Sequence, residues 1–148
     1  IVIYCFGEID CRCHVWKHKS FGYKKVINSL VGKYISSIKR STERMSPHKI
    51  FIHSIVPAIR KNEHIHNEVA DLPFLGDDET RKSYVIYMNK MLKKACIENR
   101  FNFFDIYAFY ADRDGFLNYE LSDKNVHIRD PKFIEDSIKE KIFPIFNL

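Results

Sequence analysis

Four ionisable side chains follow directly on an apolar run at the start of the chain. The run IVIYCF, residues 1–6, leads into the stretch GEIDCRCH, which contains Glu8, Asp10, Arg12 and His14. Successive side chains of an extended chain point to opposite faces, so an extended conformation would place all four on one side. Carboxylates, a guanidinium and an imidazole grouped at a strand end are typical of a site that binds a ligand or moves a proton.

The same four residues also have a structural interpretation. Ion pairs gather where a chain turns, and Asp10 with Arg12 is the pair that we expect to hold this loop in place. In that arrangement Glu8 or His14 faces a ligand. Their role therefore depends on which other reactive groups the fold brings to them.

Apolar periodicity predicts three strands separated by helices. Short apolar runs indicate the strands, and apolar residues that recur every three or four positions indicate the helices, with Asp77 or Asp78 as the cap of the second helix. The predicted strands are residues 1–6, 49–56 and 101–106, and the predicted helices are 24–44, 77–99 and 130–143. Strands that alternate with amphipathic helices indicate an α/β fold with a parallel sheet.

The loops after the three strands contain most of the polar residues whose role is unexplained. They are residues 7–14, 57–76 and 107–127, and we interpret His64 and His66 of the second loop as exposed histidines rather than metal ligands. Ligands of parallel sheets bind at the carboxyl ends of the strands, where such loops meet. We therefore predict one site at this edge, although the three segments are far apart along the chain.

Composition restricts the class of protein. The chain has 148 residues, 45% of them hydrophobic and 29% charged, which suits a single domain spanning 1–148. No apolar run approaches the roughly 20 residues of a membrane-spanning helix, so we expect no membrane partner. The net charge of +5 comes from lysines dispersed over helix faces, and we expect these to be solvated rather than bound to nucleic acid.

The cysteines lack the regular spacing of a disulfide framework. They are Cys5, Cys11, Cys13 and Cys96. We expect free, mostly buried thiols in a reducing compartment, which favours a cytoplasmic protein. Zinc held by Cys11, Cys13, His14 and His18 is the competing interpretation, but a structural zinc site usually has a second paired half that this chain lacks. We therefore expect no metal.

Three segments resemble the later sequence blocks of the SGNH/GDSL hydrolases. They are GEIDCRCH, SIVP after the second strand, and DRDGFLNYELSDKNVHI before the last helix. The likeness is greatest to the SGNH-type domains of polysaccharide-related bacterial proteins, and it covers nearly the whole chain but only about the second half of a family domain. It implies a flavodoxin-like, three-layer α/β fold and an enzyme that uses a serine, without a cofactor, to hydrolyse or transfer acyl groups.

The resemblance also implies roles for individual residues. His127 corresponds to the catalytic histidine, Asp123 to the acid before it, and Gly7 to the glycine that begins the oxyanion-hole block. A serine hydroxyl needs a base to remove its proton, an acid to orient that base, and donors aimed at the developing oxyanion. The alternative for His127 is a capping role before the final helix.

The remaining residues of the first motif are then expected on the substrate side. These are Glu8, Asp10, Arg12 and His14. The implied substrate is an acylated small molecule or carbohydrate, for example an acetylated sugar. The oligomeric state is not indicated by the sequence.

The chain departs from the family pattern at two positions. Ile9 stands where the family has an asparagine that helps to form the oxyanion hole, and Arg12 or a backbone N–H is the substitute that we expect. Asp123 and His127 are four positions apart instead of the usual three. A bulge at residues 124–125 would accommodate the additional residue.

The family's first two blocks, including the serine nucleophile, have no match in the chain. Ser20, Ser54 and Ser122 do not lie in the expected strand-to-helix turn. A sheet of three strands would also leave the apolar run 1–6 at an edge, so we expect this chain to be the C-terminal part of a longer domain. Two other functions remain open: a catalytically inactive SGNH-like module that binds glycan or protein, and a basic α/β domain that binds nucleic acid.

Overall fold

The computed structural model describes residues 1–61 and 73–146. In this part of the chain three strands form a parallel sheet with helices on both faces, so the predicted α/β class is confirmed. The predicted loop histidines His64 and His66 lie outside the described residues. None of the described helices is both long and apolar enough to cross a lipid bilayer.

The sheet consists of three short parallel strands in the order β1-β2-β3. Their bounds are Val2–Tyr4 (β1), Ile50–His53 (β2) and Asn102–Phe104 (β3). Tyr4 is paired with Ile52, and Ile52 with Phe103, which aligns the carboxyl ends of the strands. Each strand is shorter than its apolar run because the residues that follow leave the ladder and pack as loops over the core.

Helices connect the strands and cover both faces of the sheet. Residues 8–17 are helical (the 8–17 helix), with a π-helical turn at Asp10–His14 and α1 at Val15–Lys17. The long helices are α2 (Tyr23–Ser41), α3 (Asp78–Asn99) and α5 (Lys132–Phe146), and α4 (Tyr107–Tyr110) is a single short turn. The predicted cap Asp77 accepts a hydrogen bond of 2.7 Å from the Thr80 N–H at the start of α3. The second predicted cap, Asp78, is already inside the helix.

Two apolar clusters fill the spaces on either side of the sheet. On one face α2 and α3 pack on β1 and β2, and on the other face α4 and α5 pack on the end of β3. Met88 and Leu92 of α3 are fully buried in the first cluster, and Phe104 and Tyr110 are buried in the second. Burial of each such side chain stabilises the fold by about 1.5–3 kcal/mol. These layers fix the strand ends on which the site is built.

β1 lies at an edge of the sheet, as the sequence predicted. Among the described residues it pairs with β2 alone. Ile1 is 49% exposed and Ile3 is 40% exposed, so the apolar run is not covered on both faces. An apolar edge strand is a surface that proteins normally cover or protect.

Candidate active site at the carboxyl ends of the strands

Gly7 turns the chain from β1 directly into a helix. Its φ of +109° is rare for residues with a side chain, and a Cβ atom here would lie 2.6 Å from Ile55 Cδ1. The Gly7 carbonyl accepts a hydrogen bond of 3.0 Å from the Cys11 N–H. Residues 8–14 are therefore helical rather than extended, and the condition under which the four ionisable side chains would share one face is not met. The helix satisfies the backbone hydrogen bonds of these residues, for which the described part of the chain provides no neighbouring strand.

The helix changes which ionisable residues contact each other. Arg12 donates from Nε to Glu8 Oε1 at 2.6 Å and from Nη2 to Oε2 at 3.2 Å. His14 Nδ1 lies 3.0 Å from Asp10 Oδ1. Side chains four apart lie on the same side of a helix, whereas side chains two apart do not. The expected pair between Asp10 and Arg12 is therefore wrong.

The two pairs contribute to different surfaces. Glu8 and Arg12 line a cavity at the carboxyl ends of the strands, whereas Asp10 and His14 line a groove beside α2. Asp10 also accepts a hydrogen bond from the Tyr34 hydroxyl. The four side chains that the sequence placed in one site are thus divided between two.

Asp123 and His127 are in direct contact in the loop before α5. His127 Nδ1 lies 2.9 Å from Asp123 Oδ2. The other carboxylate oxygen, Asp123 Oδ1, accepts hydrogen bonds from the backbone N–H groups of Asn125 at 2.9 Å and of His127 at 3.2 Å. The carboxylate is thereby fixed beside the imidazole, and His127 Nε2 is the ring nitrogen left to exchange a proton. The His127 side chain is 74% exposed and accessible to a ligand.

The contacts of Asp123 keep its carboxylate charged. Burial is the largest single influence and raises its pKa. The hydrogen bonds from the His127 side chain and from the backbone N–H groups of Asn125 and His127 outweigh burial and hold the pKa below the ordinary value of 3.8. A charged carboxylate on Nδ1 stabilises a protonated imidazole. The arrangement is chemically suited to an orienting acid with a general base.

A left-handed residue accommodates the four-residue spacing. Lys124 has a φ of +67°, which is uncommon for residues other than glycine. Its N–H donates to Ser122 Oγ at 3.0 Å, and Ser122 forms an isolated antiparallel bridge with Ile128. The additional residue is therefore absorbed in the segment 124–125, where the sequence predicted a bulge.

Segments that follow all three strands line one cavity. Its walls include Glu8 and Arg12 of the 8–17 helix, residues 56–59 after β2, and Val126 of the loop after β3. The cavity has a volume of about 20 Å³, enough for about one water molecule. Val126 directly precedes His127 in the chain. The segments expected to meet at this edge do meet there.

Arg81 of α3 is a cavity residue that the sequence analysis missed. It is 2% exposed, and its Nη1 donates to the Gly76 carbonyl at 2.6 Å while Nη2 contacts Asp78. Its Nε is buried and has no acceptor among the described residues. A signal was present in the sequence, because Arg81 lies four residues before the buried Val85 and so on the apolar face of α3.

Phe74 lies against the two arginines of the cavity. Its ring centroid is 4.9 Å from Arg12 Cζ and 5.3 Å from Arg81 Cζ, within the range of a cation–π contact. The neighbouring Leu75 N–H donates to the Arg12 carbonyl at 3.0 Å. Arg12 therefore connects the 8–17 helix with the segment before α3, in addition to its ion pair with Glu8.

The buried serines near the site hold loops together. Ser54 is fully buried, and its Oγ accepts a hydrogen bond of 3.0 Å from the Ile106 N–H. Ser122 is 1% exposed, and its Oγ donates to the Tyr119 carbonyl at 2.8 Å. Neither hydroxyl is presented to a ligand in this arrangement.

A cysteine–histidine pair at the ends of β1 and β2 was not identified from the sequence. Cys5 Sγ lies 3.6 Å from His53 Nδ1. Burial raises the pKa of the Cys5 thiol and lowers the pKa of His53, so both groups are held neutral and the thiol is not activated. Burial, and then the carboxylates of Asp10 and Glu8, raise the pKa of Cys11 well above its usual range.

The cysteines are not grouped with other metal-binding side chains in the part of the chain that the structure describes. All four cysteines are free, and Cys11, Cys13 and Cys96 are buried. Within residues 1–61 and 73–146, no three histidine, cysteine, aspartate or glutamate side chains are grouped as metal ligands. The zinc set considered from the sequence, which included Cys11 and Cys13, is therefore not assembled in this part of the chain.

Comparison with known proteins supports the fold. No protein-family model matches the sequence, and no curated protein is significantly similar to it. A solved structure from Streptococcus pneumonia, described provisionally as a platelet activating factor, is similar with a TM-score of 0.59 and 16% sequence identity. The similarity covers 93% of this chain and 57% of that chain. At this identity the likeness shows the α/β fold and does not carry an activity.

Proposed function

We propose that the protein containing this chain is a serine-type acyl-ester hydrolase or acyltransferase in which His127 is the general base and Asp123 orients it. The observation that carries the proposal is the 2.9 Å contact between His127 Nδ1 and Asp123 Oδ2, which leaves Nε2 for proton transfer. The SGNH/GDSL-like motifs and the α/β fold support it. The solved neighbour, of whose chain 57% is covered, supports the fold alone.

The proposed reaction uses His127 as base and then as acid. Nε2 takes the proton of a serine hydroxyl while the serine oxygen bonds to the acyl carbonyl carbon, whose π electrons move to its oxygen. When the carbonyl re-forms, the bond to the alcohol breaks and the imidazolium returns the proton to that alcohol. Water, or a second alcohol in a transfer, then releases the acyl group by the same steps. We expect the serine from outside residues 1–148.

Gly7 is the proposed backbone donor of the oxyanion hole. The chain at this position is buried and fixed by close packing on Ile55, so its geometry does not need to reorganise during a reaction. Arg12 was the expected substitute for the missing asparagine, but Glu8 already binds its guanidinium through two nitrogens. An unchanged kcat after Arg12→Ala would exclude Arg12 as an oxyanion donor.

We propose an ester of a small acyl group on a carbohydrate as the substrate. The resemblance to polysaccharide-related SGNH domains supports the carbohydrate. The cavity of about 20 Å³ beside the loop of His127 is lined by apolar residues and by three charged ones, Glu8, Arg12 and Arg81. A space for about one water molecule excludes a long acyl chain, and the choice of acetyl rests on the resemblance.

A catalytically inactive SGNH-like binding module is the second candidate. Ile9 supports it, because this residue provides no side-chain donor where the family has an asparagine, and its side chain is 38% exposed on the 8–17 helix. Such a module would bind an acylated glycan without turnover. Its expected signature is saturable binding of the ester together with hydrolysis no faster than in buffer.

Hydrolysis of p-nitrophenyl acetate by the product of the complete reading frame tests the proposal. We expect His127→Ala to reduce kcat/KM by about 10²–10⁴-fold, because a general base is lost. The matched control is His48→Ala, since His48 is also exposed and hydrogen-bonded, at 2.8 Å to Ser46. Equal rates for wild type and His127→Ala would remove His127 from the mechanism. No hydrolysis by the wild type would favour the binding module.

A further inference from the structure

A second concave surface lies between the 8–17 helix and α2. It is lined by Asp10, His14, His18, Phe21, Lys25 and Lys33, among others, and is named here the α2 groove. Its volume is about 480 Å³, within the roughly 300–1,000 Å³ range of ligand sites. Of the residues that the structure describes, none lines both this groove and the cavity at the strand ends. A ligand could therefore bind in the α2 groove without blocking the cavity at the strand ends.

The α2 groove has an excess of basic side chains. Lys25 and Lys33 lie eight residues apart on α2, about 12 Å along the helix axis. Among the residues that the structure describes, neither lysine forms an ion pair. Asp10 is the one carboxylate that the described residues contribute to the lining, and it is already hydrogen-bonded to Tyr34 and His14. The two ammonium groups are thus left to bind an anion from solution.

The acidic side of the groove is rigidly held. The Tyr34 ring packs on Phe6 with ring centroids 4.1 Å apart, and its hydroxyl donates to Asp10. Asp10 in turn holds His14 by Nδ1. The imidazole therefore has a fixed orientation, with Nε2 as its remaining polar atom. A site of fixed orientation loses less entropy when a ligand binds.

Apolar groups complete the lining. Val26 and Leu30 of α2 are half-buried in the groove, and the Phe21 ring at its border is 71% exposed. Ligand sites typically combine such apolar surface with a few polar groups that fix orientation. The flat C–H faces of a sugar ring match an exposed aromatic ring, while a carboxylate on the sugar matches the ammonium groups. A neutral sugar would leave Lys25 and Lys33 unused.

We propose that the α2 groove binds uronates, carboxylate-bearing sugar units of an oligosaccharide, with the carboxylates of different units held by Lys25 and by Lys33, which lie about 12 Å apart along α2. The choice of a sugar as carrier of the anion rests on the proposed function, whereas the preference for an anion rests on the charges of the groove. His14 Nε2 contributes a further polar contact to the bound unit. The groove would then select acidic glycans among the esters presented to the enzyme.

Isothermal titration calorimetry with trigalacturonate, beside the neutral trisaccharide galactotriose, tests the proposal on the full chain. We expect saturable binding of trigalacturonate alone. The double variant Lys25→Ala/Lys33→Ala should weaken it by about tenfold or more, because two charge-assisted contacts are lost. The control Lys39→Ala/Arg40→Ala removes the same charge from exposed positions of α2 outside the groove and should change the affinity by less than about twofold.

Three results would overturn the uronate site. They are equal binding of the two trisaccharides, an equal loss of affinity in both double variants, and no saturable binding of trigalacturonate. The titration involves no turnover, so its result does not depend on whether His127→Ala lowers the rate of p-nitrophenyl acetate hydrolysis. Conversely, the effect of His127→Ala on that rate does not depend on whether the groove binds a uronate. The two proposals can therefore fail separately.

Discussion

Two histidines of this protein make the same contact in different surroundings. His14 and His127 each place Nδ1 beside an aspartate four residues earlier, at 3.0 Å from Asp10 and 2.9 Å from Asp123. The first pair lies in the 8–17 helix, whereas the second lies in a loop. The His14 side chain is 46% exposed and the His127 side chain is 74% exposed.

The difference shows how much structure each contact requires. In a helix, residues four apart are neighbours without any further device. In the loop, the pair depends on Lys124 in a left-handed conformation and on two backbone N–H groups that hold the Asp123 carboxylate. Asp10 instead serves Tyr34 as well as His14. Among the described residues His127 is the one side chain that is hydrogen-bonded to Asp123, whereas Asp10 is shared between His14 and Tyr34, and we therefore assign the base role to the loop pair.

The largest effect that separates the pairs is expected in catalysis. Asp123→Asn should reduce kcat of the complete protein by about 10²–10⁴-fold, because an amide cannot stabilise the imidazolium that forms during proton transfer. Asp10→Asn should change kcat by less than about threefold, because His14 is not the base. Steady-state kinetics with p-nitrophenyl acetate measures both. Similar losses in the two variants would mean that the pairs do not differ in function.

A smaller effect is expected on the free energy of unfolding, at the two positions of these regions that have a positive φ, Gly7 and Lys124. Gly7→Ala should lower the free energy of unfolding by about 2–4 kcal/mol, because it adds a strained φ and a contact of 2.6 Å with Ile55. Lys124→Gly should be neutral or stabilising by up to about 1 kcal/mol, since glycine tolerates a positive φ. Urea denaturation measures both changes. A stable Gly7→Ala variant would contradict the turn described at this position.

The smallest effect is expected in the pH dependence of stability. The pKa of Asp123 is lowered in the folded state, so its contribution to stability is complete above the ordinary value of 3.8 and is lost as the pH falls through the folded pKa. The wild type should lose more stability than Asp123→Asn over that interval. We expect a difference below about 1 kcal/mol, because the side chain is 39% exposed and solvent screens its contacts. Parallel urea titrations at stepped pH would show no divergence if the hydrogen bonds to the Asp123 carboxylate were absent in solution.

The order of elements was predictable because it depends on patterns that tertiary contacts rarely reverse. Short apolar runs became β1, β2 and β3, and apolar residues at helical spacing became α2 and α3. The cap at Asp77 followed from its position before a helical pattern. The meeting of three loops at one edge followed from the parallel arrangement itself.

The conformation of residues 8–14 was not predictable from the spacing of the charges. Residues 8, 10, 12 and 14 alternate as in a strand, but the same spacing also contains two pairs four apart, as in a helix. The positive φ of Gly7 and the absence of a partner strand for this segment among the described residues decide in favour of the helix. Neither property can be read from one stretch of sequence.

Other features of the site were missed for separate physical reasons. Arg81 is charged, and charged helix residues are usually exposed, although its place on the apolar face of α3 indicated burial. The contact between Cys5 and His53 depends on the register of β1 with β2. The left-handed conformation of Lys124 is unusual for lysine and gives no signal in the residue type. Such features depend on the assembled tertiary structure.

The central claim is that His127 activates a serine hydroxyl, and labelling with a fluorophosphonate tests it most directly. This reagent phosphonylates a serine only when a base has made the hydroxyl nucleophilic. In the product of the complete reading frame, we expect one serine to be labelled in the wild type and in His14→Ala, and labelling to be lost in His127→Ala. Equal labelling of His127→Ala and the wild type, or no labelled serine in either, would contradict the account.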